Sequence, residues 1–187
     1  MRPGLGDRSR RRFIVLDRDG TIIVDRDYLS DPDAVELLSG SVAGLLHYQA
    51  LGFGLVIISN QSGVGRGYFD DACVERVHQR LLALLGAEGI TIAGIYYCPH
   101  APEERCPCRK PEPALLVRAA SELDFDPAES IVIGDKPSDI ELGRRVGAKT
   151  VLVRTGHGAK TEREAKIVAD LCVDDLAAGS SLIILPK

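Results

Sequence analysis

The chain has 187 residues, enough to bury a substantial core in one domain and too few for two full ones. With 23 basic residues against 27 acidic ones the net charge is -4, which argues against nucleic acid or an anionic membrane as partner. No apolar stretch approaches the roughly 20 residues of a membrane helix, and no signal-peptide pattern follows the basic N-terminus, so a cytoplasmic protein is expected.

Residues 1–12, with Arg8, Arg10, Arg11 and Arg12, read as a solvated flexible tail, and 13–187 as a single domain. "FIVL" at 13 is the first strand, and it runs into two carboxylates, Asp17 and Asp19, ahead of Gly20. "IVDRDYLSDPDAVELL" after it has the length of a flap rather than of a cap domain. A helix is predicted over Ser41 to Leu51, from a Ser N-cap to a stop at Gly52. "LVIIS" at 55 is the second strand, ending in Ser59, Asn60 and Gln61, and a helix over Asp70 to Leu85 ends at Gly86. "ITIAGIYYC" at 90 is the third strand, followed by a Cys/His segment and a helix over Pro113 to Leu123. "SIVIGD" at 130 leads to Asp135, Lys136 and a helix over Pro137 to Val146, with "TVLVRT" at 150 as the fifth strand. Proline is tolerated at a helix start, where its missing N–H lacks an intrahelical partner anyway. "SLIILPK" is apolar enough for a last strand or a docked tail.

Short β-branched runs, apolar on both faces and alternating with amphipathic segments, predict an α/β domain: one Rossmann-like parallel sheet with helices on both faces. In such a sheet ligands bind at the carboxyl ends of the strands. Asp17 and Asp19, then Ser59 to Gln61, then the Cys/His segment, then Asp135 and Lys136 all fall at those ends. Any one Asp there is more often a turn former or a helix cap, so it is the ordered recurrence that points to a single site.

Of the five cysteines, Cys98, Cys106 and Cys108 crowd one segment with His100, spaced C-x-H-x5-C-x-C. Three thiolates and one imidazole make a closed tetrahedral set, the composition of a structural Zn2+ site in a loop spanning 98–110. Zinc there would fix where Arg109 and Lys110 point, and its loss is expected to disorder Lys110 and lower activity. Cys73 and Cys172 read as small core residues.

D-x-D-G-T, then an apolar-I-S-N run, then R-K-P, then G-D-K-x-x-D resembles the four motifs of the haloacid dehalogenase superfamily of phosphatases, from Phe13 to about Val153. The resemblance implies a haloacid dehalogenase-like fold without a large cap domain. Asp17 would be the nucleophile that becomes an aspartyl phosphate, and Asp19 the acid and base. Mg2+ would be held by the Asp17 side chain, the Asp19 carbonyl and the Asp135 carboxylate, with Asp139 behind it. Ser59 and Lys110, helped by Lys136, would neutralise the phosphoryl oxygens.

The zinc loop makes the chain similar to the branch that holds heptose bisphosphate phosphatases and histidinol-phosphate phosphatases. The x5 gap is a feature of the histidinol branch. "AKTVLVRTGHG", and a chain that ends without the dehydratase domain often fused to the histidinol enzyme, favour the heptose branch. The substrate implied is a small phosphorylated sugar, on the route to lipopolysaccharide or another heptose-containing glycoconjugate. Arg66 and Arg109 would take its second phosphate, and Asn60 and Gln61 its hydroxyls. A monomer is expected. The rival readings are a non-catalytic zinc-stabilised binding module and a phosphotransferase or mutase using the same aspartyl phosphate.

Overall fold

The computed structural model describes residues 11–164 and 168–182. Six strands form one fully parallel sheet: β1 (Phe13–Leu16), β2 (Gly54–Asn60), β3 (Gly94–Cys98), β4 (Ile131–Gly134), β5 (Lys149–Val153) and β6 (Leu171–Val173). Their order across the sheet is β3-β2-β1-β4-β5-β6. β1 is therefore central, paired with β2 on one side and β4 on the other, and the chain reverses direction of travel across the sheet at β1.

Successive strand residues point to opposite faces, so each face collects alternate residues. Ile14, Leu16, Leu55 and Ile57 bury into a layer with Leu45 and Tyr48 of α1 (Ser41–Ala50), Val77 and Leu81 of α3 (Asp71–Ala87) and Leu176 of α7 (Leu176–Leu182). Phe13, Val15, Val56 and Ile58 bury on the other side with Leu116 and Ala119 of α4 (Ala114–Leu123) and Leu142 of α5 (Pro137–Arg145). Two short helices complete the set, α2 (Ser62–Gly65) directly after β2 and α6 (Gly158–Glu164) after β5. At roughly 1.5–3 kcal/mol for each large aliphatic side chain removed from water, these two layers supply the main drive for folding.

The helix boundaries follow local chemistry. α1 is preceded by Gly40 at φ 82°, so Ser41 is its first residue and not its N-cap; the Ser41 hydroxyl donates instead to the Ile22 carbonyl at 2.8 Å. Asp70 caps α3 by accepting from the Cys73 N–H at 2.9 Å, and that helix continues past Gly86 to Ala87. α5 begins at Pro137, and the Asp139 carboxylate accepts the Lys136 N–H at 3.0 Å.

Several expectations change here. Arg11 donates to the carbonyls of Gly52 and Phe53, and Arg12 stacks over the Phe53 ring, so these two residues, just ahead of β1, are tied to the turn before β2. Cys73 and Cys172 are part-buried, and Cys172 packs against the small cluster of Ile140, Leu152 and Ala169. Ser181 and Leu182 of "SLIILPK" close α7, and 183–187 lie outside the described residues. Between β1 and α1 the chain carries only a single 3-10 turn (Pro32–Ala34) and a narrow ribbon in which Val24 and Leu38 bond to Glu36 and Ile22. This flap folds over the carboxyl ends of the strands.

Candidate active site

Asp17 continues β1 by donating its N–H to Ile133 of β4, which aims its side chain between two neighbouring strand ends. Lys110, from the far end of the Cys/His loop, crosses the carboxyl end of β2 to meet it. Its ammonium lies 2.6 Å from Asp17 Oδ1 and 2.7 Å from Asp139 Oδ1, and donates to the Ile58 carbonyl at 2.7 Å. All three side chains are buried. Burial alone would raise the Asp17 carboxyl, but Lys110 and Lys136 outweigh it and hold Asp17 below its ordinary value. Lys110 is raised in turn: burial opposes its charge, and the Asp139 and Asp17 carboxylates overcome that.

Asp135, fully buried at the end of β4, is the unbalanced member. Its Oδ2 accepts the His157 N–H at 2.8 Å, while Oδ1 has no hydrogen-bond partner and only the Lys136 ammonium, 3.8 Å away. Burial, then Asp17, push its carboxyl up to about 8. Asp17, Asp135 and Asp139 can each bring an oxygen within 4.8 Å of the others. A buried carboxylate oxygen with nothing to bind, beside two further carboxylates, is a donor set that fits a hard divalent cation. Backbone crowding keeps the space narrow: a Cβ on Gly20 (φ 85°) would lie 2.3 Å from Asp135 Oδ2, and one on Gly156 2.4 Å from it. Both of Asp139's oxygens are engaged, by Lys110 and by the Lys136 N–H, which makes it the counter-ion of Lys110.

Asp19 is held by a different set of partners. Its carboxylate is gripped by Arg18, with Nε donating to Oδ2 and Nη2 to Oδ1, each at 3.0 Å, and by Gln61 Nε2, 2.9 Å from Oδ2. Gln61 also donates to Ser59 Oγ at 2.7 Å. The Asp19 carbonyl, expected to face a metal, receives the Lys136 ammonium at 3.4 Å. The Asn60 amide is likewise engaged: it donates to the Lys110 carbonyl at 3.1 Å and accepts the Lys110 N–H at 3.0 Å, pinning that backbone to the end of β2. Asn60 and Gln61 thus hold other site residues while also lining the cleft above them.

Above these groups opens a cleft of about 250 Å³, whose lining includes Asp19, Asp25, Gln61, Arg109, Lys136 and His157. Lys136 and His157 both reach Asp25 of the flap, at 3.0 and 3.4 Å. Arg109 lines this cleft; Arg66 does not, and instead pairs with Glu103 at 3.4 Å on the surface. Reading the sequence missed Arg18, Asp25 and His157. "RTGHG" at a strand's carboxyl end was the available signal for His157.

The Cys/His segment closes on itself. Cys98, His100, Cys106 and Cys108 bring three sulfurs and one ring nitrogen together, with pairs 3.1–3.5 Å apart and no disulfide. A tetrahedron of ligands about 2.3 Å from a central ion has edges of roughly 3.8 Å, so the cluster fits a single tetrahedral metal after a small expansion. Burial pushes the Cys98 thiol up. Contacts with Cys108 and Cys98 outweigh burial at Cys106 and bring it to about 7.

Residues 107–179 match a family of HAD-hydrolase-like proteins. A D-glycero-beta-D-manno-heptose-1,7-bisphosphate 7-phosphatase of Helicobacter pylori is 42% identical over 154 residues, covering 82% of this chain and 88% of its own. The protein of that name in Pasteurella multocida is 39% identical over 153 residues, covering 78% and 83%. The crystal structure of the D,D-heptose 1,7-bisphosphate phosphatase of B. bronchiseptica, complexed with magnesium and phosphate, superposes with a TM-score of 0.84 at 33% identity, covering 91% of this chain and 96% of that one.

Proposed function

The chain belongs to the family of D-glycero-beta-D-manno-heptose-1,7-bisphosphate 7-phosphatases, and from that membership we propose that it hydrolyses the 7-phosphate of the heptose bisphosphate through a phosphoryl group carried on Asp17. The observation that carries the mechanism is the buried triad in which Lys110 lies 2.6 Å from Asp17 and 2.7 Å from Asp139, since it keeps a nucleophilic carboxylate ionised beside the cleft. Identity of 35–42% to relatives of one name favours the heptose substrate over histidinol phosphate, against the hint of the x5 spacing.

In the first step an Asp17 oxygen bonds to phosphorus, the bond from phosphorus to the sugar oxygen breaks, and Asp19 gives that oxygen its proton. In the second, water bonds to phosphorus and yields a proton to Asp19, the bond to Asp17 breaks, and inorganic phosphate leaves. Lys110 faces the charge that builds on the phosphoryl oxygens, with Ser59 and Lys136 assigned to the same task. We assign Mg2+ to Asp17, Asp135 and the Asp19 carbonyl, where it supplies the positive charge that lets carboxylates face a phosphate. The cluster of Cys98, His100, Cys106 and Cys108 is assigned to structural Zn2+. Arg109, in the cleft wall, is the residue placed to take the second phosphate, and Arg66 is set aside because Glu103 holds it elsewhere. The reading carries with it a cytoplasmic, monomeric enzyme on the way to a heptose-containing glycoconjugate such as lipopolysaccharide. Among the described residues no helix is long and apolar enough to cross a membrane.

The test is phosphate release in Mg2+ from both anomers of the heptose bisphosphate and from histidinol phosphate, with Asp17→Asn as blank. The β anomer is expected to win by at least a hundredfold in kcat/KM. Preference for histidinol phosphate, or an equal rate from Asp17→Asn, overturns the reading.

A further inference from the structure

Arg18 is 1% exposed and Gln61 4%, an unusual depth for polar residues. Their contacts run to one carboxylate, that of Asp19, and the orientation of the Gln61 amide is forced. Arginine has no acceptor, so the group 2.9 Å from Arg18 Nη2 must be the Gln61 oxygen. The Gln61 nitrogen then faces Asp19 Oδ2 at 2.9 Å and Ser59 Oγ at 2.7 Å, and both of its hydrogens are committed.

The two oxygens of Asp19 are consequently unequal. Oδ2 receives Arg18 Nε at 3.0 Å and Gln61 Nε2 at 2.9 Å, with Arg18 Nη2 also 2.9 Å away. Oδ1 receives only Arg18 Nη2, at 3.0 Å, from a nitrogen that it shares with Gln61. A carboxyl oxygen crowded by donors is a poor place for a proton, because an O–H there would face other hydrogens. We infer that Gln61 is a positioning residue that, with Arg18, pins Oδ2 of Asp19 and leaves Oδ1 as the oxygen that carries the proton to the departing sugar oxygen. The inference rests on the phosphatase reading above. It replaces a sugar-binding role for Gln61 with one in proton transfer, exerted through Asp19.

Loss of this grip matters in proportion to how much the leaving group needs a proton. A sugar alkoxide needs one; 4-nitrophenolate departs without. The experiment compares Gln61→Met and Gln61→Glu with the parent enzyme on the heptose bisphosphate and on 4-nitrophenyl phosphate. Values of kcat/KM are compared, since they report the step in which the leaving group departs. Gln61→Glu keeps an acceptor for Arg18 and removes the donor to Asp19, so it serves should the methionine variant not fold. In both variants the sugar-to-aryl ratio of kcat/KM is expected to fall by tenfold or more, with the loss in kcat for the sugar. Equal losses on both substrates, or a loss confined to KM, overturn the inference. A parent enzyme that turns over the aryl ester but not the heptose bisphosphate sinks the substrate reading alone, and the ratio is then taken with glycerol phosphate as the alkyl ester.

Discussion

Removing the Lys110 ammonium would leave Asp17 and Asp139 facing each other inside the protein with no cation between them. Breaking a buried pair by deleting one partner costs roughly 3–5 kcal/mol, because the remaining charge stays out of water. Lys110→Met should therefore lower Tm measurably, and should also cut kcat by about 10²–10³-fold, the usual scale for one lost transition-state donor. Steady-state kinetics and a thermal melt on the same preparation check both halves; a variant with lowered Tm and normal kcat would make Lys110 structural only. At this scale the sequence told residue types and strand ends but not directions. Asp17 and Asp135 were legible as members of one site because each follows an apolar run, and Lys110 because it comes just after the last cysteine of the Cys/His segment. Asn60 and Gln61 were equally visible, yet nothing in their spacing says that one amide grips the Lys110 backbone and the other the Asp19 carboxylate. Arg18 escaped notice for the opposite reason, since a charged residue between two aspartates reads as solvated and here it is buried.

Among the elements, the Cys/His loop joins β3 to the residues that carry Arg109 and Lys110. Its end is held twice, by the four clustered side chains and by the two hydrogen bonds between Asn60 and the Lys110 backbone, one donated and one accepted by the amide. Stripping the zinc proposed there with a chelator should accordingly loosen residues 99–107 and move Arg109, while Asn60 keeps part of the Lys110 population in place. The expected result is a drop of about tenfold in kcat/KM and new protease cleavage within the loop, both reversed by adding zinc; unchanged kinetics in protein shown by metal analysis to be zinc-free would remove the loop from the mechanism. The strands at 13, 55, 131 and 150 were readable because runs apolar on both faces belong to a sheet covered on both sides. β6, three residues with two of them half-buried, and the short helices α2, α6 and α7 give no period long enough to register.

For the molecule as a whole, His78 of α3 ties folding to acidity. It is 3% exposed with an unpartnered Nε2, beside the Tyr97 ring, and burial, then the charge on Arg18, lower its pKa from 6.5 to about 3. The folded chain thus keeps His78 neutral at pH values where the unfolded chain takes up a proton. Its contribution is complete above about pH 6.5 and is lost progressively as pH falls toward 3. At about 1.4 kcal/mol per pH unit, roughly 2 kcal/mol should disappear between pH 7 and pH 5. Urea unfolding across that range should show the slope, and His78→Leu should flatten it; a parallel slope in the variant would assign acid sensitivity to other groups.

The thin flap has a further effect on the fate of the phosphoryl group. A ribbon and one turn form the described roof over the cleft, so an acyl phosphate on the proposed nucleophile Asp17 would meet water before it meets a second acceptor. Transfer to another sugar would demand a closed chamber that holds the acceptor and shuts out its far more abundant competitor. The shape of the roof, as much as the chemistry beneath it, commits the chain to hydrolysis over exchange.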